Sequence, residues 1–359
     1  MRKNKRLSGL AGSQFVLGLD LGGTKIAGGV VNSEGILLSH VRLATPAQGV
    51  RKDVAALFDV AHAAVSAARV AWGRVSAVGV GVPGAFDPRS ETVWAPNLPG
   101  WRKTPLKHLL ENALRRPTFV EGDRNMQALA EAWLGVGARN GVRNLVFLTV
   151  GTGIGAGLIS EGRLIPGAHG VSGAAGWMVI DRRRKPEYAR LGCFEALGAG
   201  PAVARLGARA LKQNPGSLIG VLAKKNAGNI TAEVVAAAAR RGDQPARQVL
   251  REVGTNLGLG VANIVSLLNP EVVVLGGGLA RIGNPLLVPL RRTLRLWGQP
   301  LAAKQVRVVR SRLGDEAGIL GAARYALLKL EEMRNVSRKI LRGSAEYLRP
   351  HSINTAREH

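Results

Sequence analysis

The chain has 359 residues, 46% hydrophobic and 4% aromatic, with 50 basic against 24 acidic side chains and a formal charge of +26. That length allows two domains with separate cores, and the apolar content excludes a disordered chain. The positive excess suits either a polyanion partner (nucleic acid, polyphosphate, a membrane surface) or a solvated basic surface, and basic residues dispersed among few aromatics favour the second.

In chain order, FVLGLD (15–20) reads as a buried strand, LGGTK turns, and IAGGVV returns as a second strand. NSEG (32–35) is a turn and ILLSHVRLA a third strand. Residues 53–71 have the period of an amphipathic helix, and VSAVGVGVPG (75–84) is a strand running into a glycine-proline turn. A short helix follows at 106–114, then the strand TFVEGD (118–123), ending in a carboxylate, and the helix NMQALAEAWLG. The pattern then restarts: residues 144–165 repeat strand, glycine turn, strand, turn, strand. Ser33-Glu34-Gly35 with Leu37 recurs as Ser160-Glu161-Gly162 with Leu164, which argues for a duplicated unit and two related α/β domains facing across a cleft. Helices are expected at 201–212, 231–241, 244–267 and 279–297, strands at 271–278 and 306–311, and a long helix at 315–333. The predicted division is a basic extension over 1–14, a small α/β domain over 15–134 joined by helix 315–333, a larger α/β domain over 135–314, and a weakly ordered basic tail over 334–359.

Three strand-to-glycine turns carry the chemistry. They are Asp20 with Gly22, Gly23, Thr24 and Lys25; Gly151, Thr152 and Gly153; and Gly276, Gly277 and Gly278. Glycine there lets backbone N–H groups face phosphate oxygens, and the threonines add hydroxyl donors. Asp20, at a strand end, suits a hydrated Mg²⁺ held against those phosphates. Asp123, at another strand end, suits a general base taking a proton from a sugar hydroxyl; the competing reading is a helix N-cap. There is no P-loop motif. Gly79, Gly81 and Gly84 match the dinucleotide spacing, but Pro83 and DPRSETVW follow where a helix is required. The six histidines are scattered and form no triad or metal pattern.

DLGGTK, GVGVPG, APNLPGW, EGDRN, GTGIGAG, GAHG, GCFEALGAG, VVLGGG and SRLGDEAGILGAA occur in order over residues 15–333. Together they resemble the ROK family of sugar kinases within the actin-like ATPase superfamily. The resemblance implies two ribonuclease-H-like domains, ATP and Mg²⁺ between them, a hexose 6-phosphotransferase activity in the kinase members, and a homodimer. It makes Asp123 the catalytic base, Asn97 and Glu195 sugar-hydroxyl ligands, and places Gly84 at the same pocket. The family's kinases usually read Ala-Gly-Glu-x-Gly-His ahead of a cysteine-rich zinc loop. Here Ala174 stands for the Glu and Trp177 for the His, Gly122 replaces the Asn before the base, and Cys193 alone remains of the cysteines. One thiol cannot build a tetrahedral zinc site, so no zinc is expected. Trp177 is expected either to stack on a sugar face or to pack in place of the zinc loop.

The leading expectation is an ATP-dependent, glucokinase-like kinase of a hexose or hexose derivative. The alternatives are a catalytically weak sugar or nucleotide sensor and a kinase using polyphosphate. About 14 residues precede FVLGLD, too few for the winged helix-turn-helix of ROK repressors, so specific DNA readout is not expected. Cys193, the one cysteine, fits a reducing cytoplasm. A signal peptide is not expected, because Ser8, Gly9, Gly12, Ser13 and Gln14 interrupt the apolar run after the basic head, and no run approaches the ~20 residues that span a bilayer.

Overall fold

The structure, a computed structural model, describes residues 14–138 and 141–347, with side chains through 338. The basic residues 1–13 and the end of the tail, 348–359, lie outside the described residues.

Apolar β-branched runs form two five-stranded sheets with the same plan. The first contains β1 (Phe15–Leu21), β2 (Lys25–Asn32), β3 (Val41–Ala44), β4 (Val75–Val82) and β7 (Thr118–Gly122), in the order β3-β2-β1-β4-β7. A two-stranded hairpin, β5 (Ala85–Asp87) and β6 (Thr92–Trp94), stands beside it. The second sheet contains β8 (Leu145–Val150), β9 (Ile154–Ser160), β10 (Arg163–Leu164), β11 (Val272–Gly276) and β12 (Arg307–Arg310), in the order β10-β9-β8-β11-β12. In each sheet the hairpin strands pair antiparallel and the next two join in parallel. Parallel strands are buried on both faces, which is why β4 and β11 read as continuous apolar runs.

Helices cover the sheets. On the first lie α1 (Val50–Ala68) and α2 (Leu106–Leu114), while α3 (Asp123–Trp133) packs on β8 and β9 of the second as well as on β7. In α1, Leu57, Val60, Ala61, Ala64 and Val65 recur at helical spacing and are buried. Each buried Leu or Val contributes about 1.5–3 kcal/mol relative to exposure. The second half adds α4 (Pro186–Leu191), α5 (Cys193–Gly198), α6 (Gly200–Gln213), α7 (Leu218–Lys224), α8 (Ala232–Arg240), α9 (Gln244–Leu268), α10 (Asn284–Trp297) and α11 (Pro300–Gln305). The start of α9 is fixed by Asp243, whose Oδ1 accepts from the Ala246 N–H at 2.9 Å.

The last helix, α12 (Ala317–Tyr347), begins at the end of the second sheet's chain and packs back on β1, β4 and α3. The approach is close enough to require glycine. A Cβ on Gly79 would stand 1.9 Å from the Ala322 carbonyl oxygen, and one on Gly321 would stand 1.8 Å from that of Met126.

Several elements differ from expectation. The residues from 334 to Tyr347, expected as a weakly ordered tail, continue α12, since neither proline nor glycine interrupts them before Gly343. The third strand shortens to β3, with Leu37 making only a bridge to Val31. The helix expected over 279–297 is broken at Gly283, whose φ of 80° is left-handed, into a turn over Gly278–Ile282 and α10. The hairpin β5–β6 and the short α4, α5, α7 and α11 offered too few residues for a period to register.

Candidate active site

Asp20 lies beside Gly81 of β4, and Gly81 beside Glu121 of β7. Without a side chain at Gly81, Asp20 Oδ1 and Asp123 Cα come within 3.4 and 3.8 Å of the place its Cβ would take. Two carboxylates thus flank one glycine where the parallel strands end, the position at which α/β sheets present reactive groups. Burial pushes the Asp20 carboxyl up to about 7, with the charge of Asp123 adding to the effect and Lys25 opposing it. Burial also raises Asp123, against the Arg124 charge and the Arg124 N–H that donates to Oδ1 at 2.7 Å. The start of α12 closes over Asp20, since a Cβ on Gly318 would meet its Oδ2 at 2.2 Å.

Of these residues, Asp20 and Gly318 line a cleft of about 1220 Å³, and Asp123 stands behind Asp20 rather than on its wall. Asp20, Lys25 and Gln127 line it from the first half, and Thr149, Gly276, Gly277, Gly278 and Arg281 from the second. Gly277, with φ 81°, runs so close to β8 that a Cβ would stand 2.4 Å from the Val150 carbonyl. Gly151 lies alongside, 3.9 Å separating its Cβ position from the Gly278 N. The turn after β1 is held at the rim: Gly22 N donates to Lys25 O at 2.9 Å, Thr45 N to Thr24 O at 3.0 Å, and Thr45 Oγ1 to Gly22 O at 2.7 Å. Gly23, Thr24 and Thr152 are exposed on their turns, and Thr149 is the threonine that lines the cleft. The donor set fits a nucleotide with its cation: the carboxylate oxygen of Asp20 is a hard ligand suited to Mg²⁺, and glycine backbone faces the space where phosphates would lie. When bound, the cation would neutralise phosphate charge.

The sugar-side residues expected from the sequence fall into two groups. Glu195, in α5, accepts from the Ile154 N–H at 2.8 Å, and its Oε2 stands 2.7 Å from a Cβ position on Gly153. Arg124, next to Asp123, packs on Gly155, beside the Ile154 whose N–H holds Glu195. Gly84 adjoins this place, its carbonyl oxygen 3.1 Å from the Gly122 Cβ position. Glycine is needed at 84 because the Trp94 carbonyl oxygen would be 2.1 Å from a Cβ. Asn97 is exposed on a tight turn, where Ala95 N donates to Trp101 O at 2.7 Å. Buried Trp101 anchors that turn through a 2.9 Å bond from Nε1 to Asp53 Oδ2.

The GVSGAAGWMV stretch, from Gly170 to Val179, owes its glycines to packing. Cβ positions on Gly173 and Gly176 stand 2.0 Å from Ala156 O and 2.8 Å from Ile154 O, so the segment rides on β9. A Cβ on Gly170 would meet Phe86 O at 2.1 Å, tying the loop to β5 of the first half. Ala174 is exposed, and Trp177 is 58% exposed. Further on, Asp181 accepts from Tyr188 Oη at 3.0 Å and Arg183 Nε at 3.1 Å, and Arg183 holds its carboxyl well below the usual carboxylate range. Cys193 is buried with its thiol toward the Asp181 carbonyl. One thiol and a tryptophan do not fit tetrahedral zinc, and among the described residues no three His, Cys, Asp or Glu side chains converge as a metal set.

Sequence reasoning missed Thr149, Gln127, Arg281 and Asp315 as cleft residues. Each stands outside the glycine turns, and only the packing of the two halves brings them together.

The ROK family model matches residues 16–329. The chain belongs to the ROK family. Glucokinase from Thermotoga maritima is 33% identical over 311 residues, covering 86% of this chain and 96% of that protein. The ROK hexokinase of Thermus thermophilus superposes with a TM-score of 0.74 at 36% identity, over 89% of this chain and 99% of that one. The ROK family glucokinase of Streptomyces griseus, solved in complex with glucose and AMPPNP, superposes with a TM-score of 0.71 at 32% identity, over 88% and 99% of the two chains. The two like-plan sheets are therefore the actin-like ATPase fold of this family.

Proposed function

We propose that this protein phosphorylates a hexose or hexose derivative with ATP and Mg²⁺, and that Asp123 is the general base. One observation carries the reading: Asp20, which shares the flanks of Gly81 with Asp123, lines a cleft that Gly276–Gly278 also line. Asp123 takes the proton from the attacking hydroxyl, and partial burial, which raises its carboxyl, suits it to that role. Asp20 holds the cation, and the glycine turns of both sheets receive the phosphates. Glu195, fixed by the Ile154 N–H, and Asn97 bind sugar hydroxyls, with Trp177 presenting an exposed ring to the sugar face. The similarity to glucokinases and a hexokinase supports this chemistry. The proposal extends to a cytoplasmic homodimer that works without zinc, the last supported by the loss of all but one cysteine.

The test is ADP release from Mg-ATP across hexoses, hexosamines and N-acetylhexosamines, with Asp123→Ala as the blank. A sugar-dependent rate absent from the blank is expected; no rate with any sugar overturns the proposal. A second reading, a polyphosphate donor, is favoured by Arg281, Arg291, Arg310 and Arg312 along the cleft. Faster turnover with polyphosphate than with ATP at equal phosphate concentration would establish it.

A further inference from the structure

At the rim of the cleft, Lys25 of the first glycine turn meets three charged side chains from outside the glycine turns. Asp315, between β12 and α12, places Oδ2 at 3.1 Å from Arg42 Nη2 and 3.5 Å from Lys25 Nζ, and Oδ1 at 3.8 Å from Arg281 Nη2. The pairing of β2 with β3 sets Lys25 opposite Ala44 and Ala27 opposite Arg42, so Lys25 and Arg42 project from one face as diagonal neighbours. Arg281 comes from the other sheet, on the turn after Gly277. Three cations from both halves therefore converge on one carboxylate. Lys25, Arg281 and Asp315 themselves line the cleft.

All four side chains are between 40 and 79% exposed. Pairs so exposed are worth about 0–1 kcal/mol each, so they exchange readily. A phosphate group carries more charge than a carboxylate and offers more acceptor oxygens to the same donors. A single Asp neutralises only one of the three cations.

We propose that Lys25, Arg42 and Arg281 form an anion subsite for the donor's phosphates, and that Asp315 fills it as an internal substitute until the donor displaces it. Asp315 is then a specificity residue: it lowers affinity for phosphate chains without touching the base or sugar. It also ties donor arrival to the root of α12, because releasing Asp315 frees the segment that leads into Gly318 above Asp20. The inference rests on reading the cleft as the phosphate donor's site.

The test is calorimetric titration of the full chain with inorganic tripolyphosphate, Mg-ATP and adenosine. Asp315→Asn is expected to bind tripolyphosphate and ATP about 3–10-fold more tightly, the equivalent of one or two exposed pairs, and adenosine unchanged. Arg281→Gln is expected to weaken tripolyphosphate by a similar factor, and to reduce the gain when combined with Asp315→Asn. Unchanged or weaker tripolyphosphate binding by folded Asp315→Asn overturns the proposal, as does unchanged binding by Arg281→Gln or an equal gain for adenosine. The kinase reading fails separately, through absence of sugar phosphorylation in the unaltered protein.

Discussion

Asp123 is held by two opposed influences, burial that favours its protonated form and Arg124 that favours the ionised one, and burial is the larger. A base acts only when ionised, so kcat/KM should rise with pH through a pKa above the ordinary carboxylate value of about 4. A profile flat down to about pH 4 would contradict that. Asp123→Asn should reduce kcat by about 10²–10⁴-fold while ATP affinity, read by titration, stays unchanged. Asp20 allows a stability prediction with a definite sign. Its folded pKa of about 7 lies above the unfolded value near 3.8. A raised acid favours the fold fully below 3.8 and loses that contribution as pH climbs toward 7. Asp20→Asn should therefore raise the Tm of the ligand-free protein at pH 8 and not at pH 4, by ~2–4 °C for each kcal/mol relieved, while abolishing Mg-ATP turnover. Trp177, with its ring 58% exposed, should tolerate Ala with little change in Tm but a raised KM for the sugar; an unchanged KM would remove it from the site.

Among the elements, the junctions matter more than the spans. Gly79→Ala should lower Tm steeply or prevent folding, because a new Cβ would collide with the backbone of α12 rather than with a side chain that can turn away. The segment from Asp181 to Cys193 is joined by the Asp181 carboxylate to Tyr188 and Arg183. Chelator treatment in the absence of nucleotide should leave Tm unchanged, and Tyr188→Phe should lower it modestly. A fall in Tm on chelation would reveal a metal after all. Long periodic elements such as α1 and α9 were legible in the sequence, as were the strands that carry Asp20 and Gly276. Periodicity carries no information about where two sheets face, so Thr149 and Arg281 were invisible as partners of Asp20. Nor could spacing tell a glycine that admits a ligand from one that admits a neighbouring carbonyl. Gly84 and Gly173 are of the second kind, Gly278 has open space beside it on the cleft wall, and all three look alike in the sequence.

For the molecule as a whole, the charge of +26 acts beyond any single contact. A basic surface around an anion's cleft raises the local donor concentration, and salt screens it over roughly 10 Å at 0.1 M. The KM for ATP should rise with added KCl while that for the neutral sugar barely moves; equal rises in both would point to a general effect on the fold. The order of the chain adds a consequence of its own. Val16, Ala27, Val31 and Ala77 of the first sheet share a core with Ala317, Ile319, Leu320, Ala323 and Leu327 of α12. As the polypeptide leaves the ribosome, the earliest strands must wait for more than two hundred intervening residues before their covering helix exists. Until then they hold an uncovered greasy face and no lid over Asp20, so a nascent chain halted short of Ala317 would be inert and a natural client for chaperones.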